Sequence, residues 1–192
     1  LRMDADERRH VLTLGGFAVE AGPSQGAVED MRELLDHWPL TPAALVDHRF
    51  DTLAANLAFT AVWSEPIDPE TKGNLLLAWA THADQRVALV TEEPIYELYL
   101  RFRANADRFA QDTRFTRILE VLQRVRPDRA HWWRCRGVRE SGTWPLALRE
   151  DDGRTLRWTC SLLRPTAATV SVLVQAPADG DTSEWIEGQL AP

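Results

Sequence analysis

The sequence has little cysteine and no excess of positive charge, and each shortage removes a class of protein. Two cysteines, Cys135 and Cys160, are too few for a disulfide framework. The formal net charge is -7 and the isoelectric point about 5.3. A free-standing nucleic-acid binder is usually basic because phosphate contacts dominate its affinity. The chain by itself is therefore not expected to bind DNA. No apolar run reaches the roughly 18 residues of a membrane span, and no charged-then-apolar leader precedes the first helical pattern. The expected setting is soluble, reducing and cytoplasmic, away from the membrane. Internal repeats and low-complexity tracts are also missing.

Catalytic signatures are absent as well. There is no Gly-rich phosphate loop, no G-x-S-x-G elbow and no His-Glu-x-x-His helix. Ser64, Ser141, Ser161 and Ser171 sit in no nucleophile context. The adjacent carboxylates Glu92-Glu93 and Asp151-Asp152 suit a helix start and a hairpin turn better than acid–base work, which needs convergence across a pocket. His131 and Cys135 stand four apart on a predicted helix, but two ligands do not make a metal site. Cys135 reads as a small apolar packing residue and His131 as a near-surface one. No catalytic residue, metal or cofactor is expected, and the chain is not read as an enzyme.

What is present is a core-forming composition. The 192 residues suit one domain or one domain with an appendage, and 44% of them are apolar and 27% charged, enough for a real core. The stretch from Thr41 to Trp63 organises it. Ala43 to Val46 is a short apolar run behind Pro42. Asp47 to Asp51 is turn-prone with Phe50 inside it, and Leu53 to Ala55 resumes apolar character. Asn56 then opens a helical pattern, its side chain suited to the free N–H groups of a helix start.

Before this unit, Asp4 and Glu7 resemble a capping box, Gly15-Gly16 stop a helix, and Phe17 to Gly26 reads as a linker or an ordinary loop. Val28, Met31, Leu34, Leu35 and Trp38 give an amphipathic helix over 27–37 that Pro39 ends. After it comes an acidic loop from Glu65 to Lys72, then a short apolar helix capped by Asn74. Residues 84–110 read as helix in two pieces divided by Pro94. Asp112 or Thr113 caps a further helix that Pro127 closes, and Asp128 to Cys135 makes one more. Beyond Gly137 the period becomes two. Strands over 143–149 and 155–163 flank the hairpin signal Asp152-Gly153, and 169–175 makes another.

Five segments spread through the chain resemble, in order, the C-terminal ligand-binding domain of MmyB-like transcription regulators, which carry an XRE-type helix-turn-helix in front. They are Pro42-Ala43, Leu53 to Asn56, Gly73 to Leu76, Asp112 to Phe115 and His131 to Val138. The resemblance implies an α+β, PAS-like antiparallel sheet of about five strands (43–46, 52–55, 143–149, 155–163 and 169–175) with helices on one face and N-terminal linker helices. Residues 1–26 would be the linker helix and loop from a DNA-binding domain outside this chain, and residues 27–192 the ligand-binding domain. The protein would act as a homodimer, contact DNA through that other domain alone, and respond to an apolar small molecule, with a fatty acid as first candidate.

Wide apolar side chains could wall such a pocket. Those expected are Leu45, Leu53, Phe59, Trp63, Leu76, Trp79, Phe102, Phe109, Leu119, Leu122, Trp132, Trp133, Trp158 and Val172, about half of them lining any one cavity. In this family a His is expected where Arg136 stands. Arg136 could pair with a carboxylate head group or lie at the surface. A ligand-free dimerisation module and a small-molecule enzyme with a fold-assembled site remain as alternatives.

Overall fold

The computed structural model describes residues 11, 14, 25–63, 71, 73–81, 87–134, 137, 142–164 and 170–191. The capping motif at Asp4, the Gly15-Gly16 stop, most of the predicted linker, and Glu65 to Glu70 with Lys72 lie outside the described residues. The elements, in chain order, begin with α1 (Gln25–Asp36), β1 (Ala43–Asp47), β2 (Thr52–Ala55), α2 (Leu57–Val62) and α3 (Leu75–Ala80). There follow β3 (Val87–Leu89), α4 (Glu93–Arg108), α5 (Thr113–Val125), a 3-10 turn (Pro127–Arg129) and α6 (Ala130–Arg134). The chain finishes with β4 (Thr143–Glu150), β5 (Thr155–Leu163), β6 (Val170–Pro177) and α7 (Gly180–Leu190).

The strands form one six-stranded sheet in the order β2-β1-β6-β5-β4-β3. Every pairing is antiparallel, so the plan is α+β and PAS-like. All five expected strands lie in this sheet. The sixth, β3, falls where the sequence suggests helix. Pro94 begins α4 instead of dividing a longer helix, because in the first helical turn its missing N–H costs no bond. The Val87–Leu89 run before it pairs with residues 148–150 of β4. β3 stops short of Pro145, so that proline lies where β4 has β5 as its ladder partner and costs the β3 edge nothing.

The β1–β2 unit shows how local chemistry sets the frame. Asp47 Oδ1 accepts from Arg49 N at 2.8 Å and Asp51 N at 2.9 Å, closing the turn. Phe50 takes a left-handed φ of +65°, costly for a non-glycine, and the turn so made drives its ring into the core at 1% exposure. Asn56 joins four segments. Its Oδ1 accepts from Ala43 N (3.0 Å) and Phe59 N (2.9 Å), while its Nδ2 donates to Trp38 O (2.9 Å) and Thr41 O (2.8 Å). Asn74 repeats the device at α3, accepting from Leu77 N at 3.1 Å. At the late hairpin Gly153 supplies a φ of +88°.

Two apolar layers sandwich the sheet. The inner one gathers α2, α3, α4, α5 and α7 over one face. The outer one is smaller: α1 lays Val28, Met31 and Leu35, joined by Trp38 just beyond its end, over Leu45, Val172 and Ala54. Helix therefore covers part of the second face too, and every residue of β1 is buried. Leu34, expected on the apolar side of α1, is exposed. The helix α7 has no counterpart in the sequence reading. Asp179 caps it by accepting from Thr182 N at 2.9 Å, and Trp185 and Ile186 enter the inner layer.

Candidate ligand-binding site

Strand alternation divides the expected wall residues between the two layers. Phe59, Trp63, Leu76, Trp79, Phe102, Leu122 and Trp158 are buried in the inner layer, with Phe109, Leu119 and Trp132 half-buried at its margin. Leu45, Leu53 and Val172 belong to the outer layer, because Leu45 alternates with inward Ala44 and Val46, and Val172 with inward Leu173. These three are walled off from the others by the sheet itself. Trp133 lies on α6, and Arg136 and Cys135 lie outside the described residues.

The inner layer is mainly aromatic and aliphatic. Trp63 and Trp79 stack with centroids 5.1 Å apart, Phe102 meets Phe115 at 5.1 Å, and Trp158 meets Trp185 edge-on at 6.4 Å. Across its middle runs a polar row that the sequence reading did not anticipate. The register aligns Trp144 with Cys160 and Cys160 with Gln175 on β4, β5 and β6. Gln175, 1% exposed, accepts from Trp63 Nε1 at 2.8 Å and donates from Nε2 to Cys160 Sγ at 3.8 Å. Burial pushes the Cys160 thiol up to about 12, so it stays protonated and packs as a small neutral group with no nucleophilic character.

Above this row lies Arg101 of α4, 1% exposed. It donates to Glu97 Oε2 at 2.8 Å, Glu97 O at 2.9 Å and Gly142 O at 3.1 Å. Its guanidinium carbon sits 4.2 Å from the Trp144 ring centroid. A buried arginine is tolerated here because a carboxylate and two carbonyls meet it. Two sequence signals could have pointed to these residues. Arg101 falls three residues after Leu98, on the apolar side of its helix, and Gln175 shares strand parity with inward Leu173.

A second polar cluster ties the β1–β2 turn to the helical layer. Asp112, the cap of α5, receives Arg49 Nε and lies 3.3 Å from His48 Nε2. Arg114 grips Asp51 through both Nε (3.2 Å) and a terminal nitrogen (2.9 Å). Asn105 donates to His48 O at 2.7 Å. Burial works to raise the Asp112 pKa, yet the Arg49 hydrogen bond and its companions leave it below the usual carboxylate value. Burial dominates at Asp47 and raises its pKa, against hydrogen bonds from the Asp51 and Arg49 backbone. These carboxylates are held by arginines and backbone amides, an arrangement that suits bracing.

Two further carboxylates are similarly engaged. Glu92, at the start of α4, pairs with Arg126 and Arg129, and Asp152 accepts from Arg154 N at 2.8 Å in the hairpin. His131 is exposed. Among the described residues no group of three or more His, Cys, Asp or Glu side chains could hold a metal, and no helix is long and apolar enough to cross a membrane.

The structure is an antiparallel α+β sheet of PAS-like plan with one aromatic-rich face enclosed by helices. The family model of the MmyB-like transcription regulator ligand binding domain matches residues 28–187, and the chain belongs to that family. No curated protein matches it significantly.

Proposed function

We propose that this domain binds a largely apolar small molecule on the inner face of its sheet, with a fatty acid or similar acyl compound as first candidate. Binding would bias the arrangement of XRE-type helix-turn-helix domains in a homodimeric, cytoplasmic regulator and so change operator affinity. The observation that supports this reading is the membership of residues 28–187 in a regulator ligand-binding family, together with the aromatic inner layer. An acyl chain of about ten methylenes gains near 8 kcal/mol on burial, at roughly 0.8 kcal/mol each, against ordering costs of several kcal/mol. Micromolar affinity follows without any special polar contact. A ligand shifts the regulator only through different affinities for its two states.

The domain is read as a binding module and not as an enzyme. The buried thiol is neutral, and the carboxylates at the β1–β2 turn are held by arginines and backbone amides. Organic extraction of purified protein followed by mass spectrometry tests the proposal. An acyl compound should co-purify, and added C10 to C18 acids should raise the melting temperature. If neither occurs, the ligand-free dimerisation module takes its place.

A further inference from the structure

Three tryptophans of the inner layer treat their indole N–H groups differently. Trp63 donates to Gln175 Oε1. Trp144 and Trp158, 3% and 1% exposed, have Nε1 atoms buried without a hydrogen-bond partner. Buried N–H groups in native proteins are nearly always paired, so two unpaired ones on one face call for an acceptor that the described residues do not provide. The register makes them neighbours. Trp144 pairs with Cys160 and Leu146 with Trp158, so the two indoles are diagonal partners on the same sheet face, with Cα atoms roughly 7–8 Å apart. Their inward strand neighbours Leu146, Leu148 and Leu156 have no side-chain acceptor, and Cys160 Sγ already accepts from Gln175.

We propose that Trp144 and Trp158 form the polar end of the inner-face site, donating their indole N–H groups to the oxygen of an uncharged acyl group on an otherwise apolar ligand. This rests on the ligand-binding reading above but narrows it, placing an uncharged acyl derivative ahead of the free acid as the tighter ligand. The charge state follows from Arg101. Its guanidinium stacks on Trp144, but Glu97 and two backbone carbonyls already meet its charge. The site therefore offers neutral donors beside a balanced ion pair. An ester, amide or ketone oxygen satisfies the indoles with no unpaired charge buried, whereas a carboxylate would be desolvated opposite neutral donors alone. Arg101 acts here as a positioning residue through the face of Trp144.

The test follows the indole N–H signals of the full chain in proton–nitrogen NMR spectra during titration with methyl decanoate, sodium decanoate and decane. Trp144→Phe and Trp158→Phe assign the two signals by deletion. Where a variant fails to fold, nuclear Overhauser contacts to Leu146 and Leu156 assign them instead. Methyl decanoate is expected to move the signals of Trp144 and Trp158 downfield, while decane binds without doing so. Each Trp→Phe change is expected to weaken the ester about three- to tenfold and to leave decane affinity nearly unchanged, as loss of one neutral hydrogen bond requires. If the ester binds and neither signal moves, the head-group assignment is wrong while the apolar site stands. If decanoate binds more tightly than its ester and moves both signals, the uncharged head is wrong. If none of the three binds, the ligand-binding reading itself fails, and this inference with it.

Discussion

The Trp63 indole donates to the Gln175 side-chain oxygen at 2.8 Å, joining the end of α2 to β6 across 112 residues of sequence. Both groups are buried, so removing one strands the other. Gln175→Leu is expected to lower stability by about 1–3 kcal/mol in urea unfolding, the cost of an unsatisfied buried donor. Trp63→Phe in the same background should cost less than it does alone. The double-mutant cycle should return a coupling of about 0.5–1.5 kcal/mol; strict additivity would show that the bond contributes nothing.

Asn56 is the local keystone, since both ends of its amide are used. Asn56→Ala should destabilise by about 3 kcal/mol, the sum of a lost cap and unmet buried groups near β1. Asn56→Asp keeps the cap oxygen but sets a carboxylate against the carbonyls of Trp38 and Thr41. It should therefore be no better than alanine near pH 7, despite aspartate being a good cap elsewhere. An Asp variant as stable as the wild type would sink this account of the junction.

Acid stability should report the turn cluster. The pKa of Asp112 is depressed in the fold, so its contribution is present above the unfolded carboxylate value and is lost as pH falls through the folded one. Asp112→Asn should be destabilising at pH 7, and the penalty should fade as pH falls below the ordinary carboxylate range. The pKa of Asp47 is raised, so its contribution runs the other way: present below the unfolded value, lost as pH rises through the folded one. Asp47→Asn should cost less at pH 7 than Asp112→Asn, because it relieves a buried charge. Melting temperatures of the two variants between pH 2 and 7 check both signs.

Much of the frame was legible because its signals are short-range. Asn56 and Asn74 cap helices through bonds spanning three residues, and Asp152-Gly153 closes a two-strand hairpin. The Leu156, Trp158, Cys160 alternation marks the inner face of β5 directly. β3 was not legible, since a three-residue strand depends on the edge that β4 offers far along the chain. Nor was α7, whose weak amphipathic pattern is anchored by Trp185 and Ile186 with Leu190 at the margin.

The candidate site divides in the same way. Its aromatic lining follows from composition and periodicity. The row through Trp144, Cys160 and Gln175 exists only once three strands are in register, and Arg101 reaches it from a helix about forty residues before β4 in sequence. The separation of Leu45, Leu53 and Val172 from the rest could have been read from strand parity, had the inward parity of each strand been known.

The chain alone should bind duplex DNA no better than an unrelated acidic protein, given its net charge of -7. Fluorescence anisotropy at low salt measures this. Tight, salt-sensitive binding by residues 1–192 would mean that charge and architecture have both been misread.

The central claim is that the inner face of the sheet takes an apolar acyl ligand. Native mass spectrometry of delipidated protein titrated with C10 to C18 acyl compounds tests it most directly. The account predicts a saturable one-to-one complex with a dissociation constant in the micromolar range, unaffected by Leu45→Ala on the outer face and weakened at least tenfold by Leu76→Gln on the inner one, given a folded variant. No complex up to the solubility limit, or one that Leu45→Ala weakens and Leu76→Gln leaves alone, would contradict it.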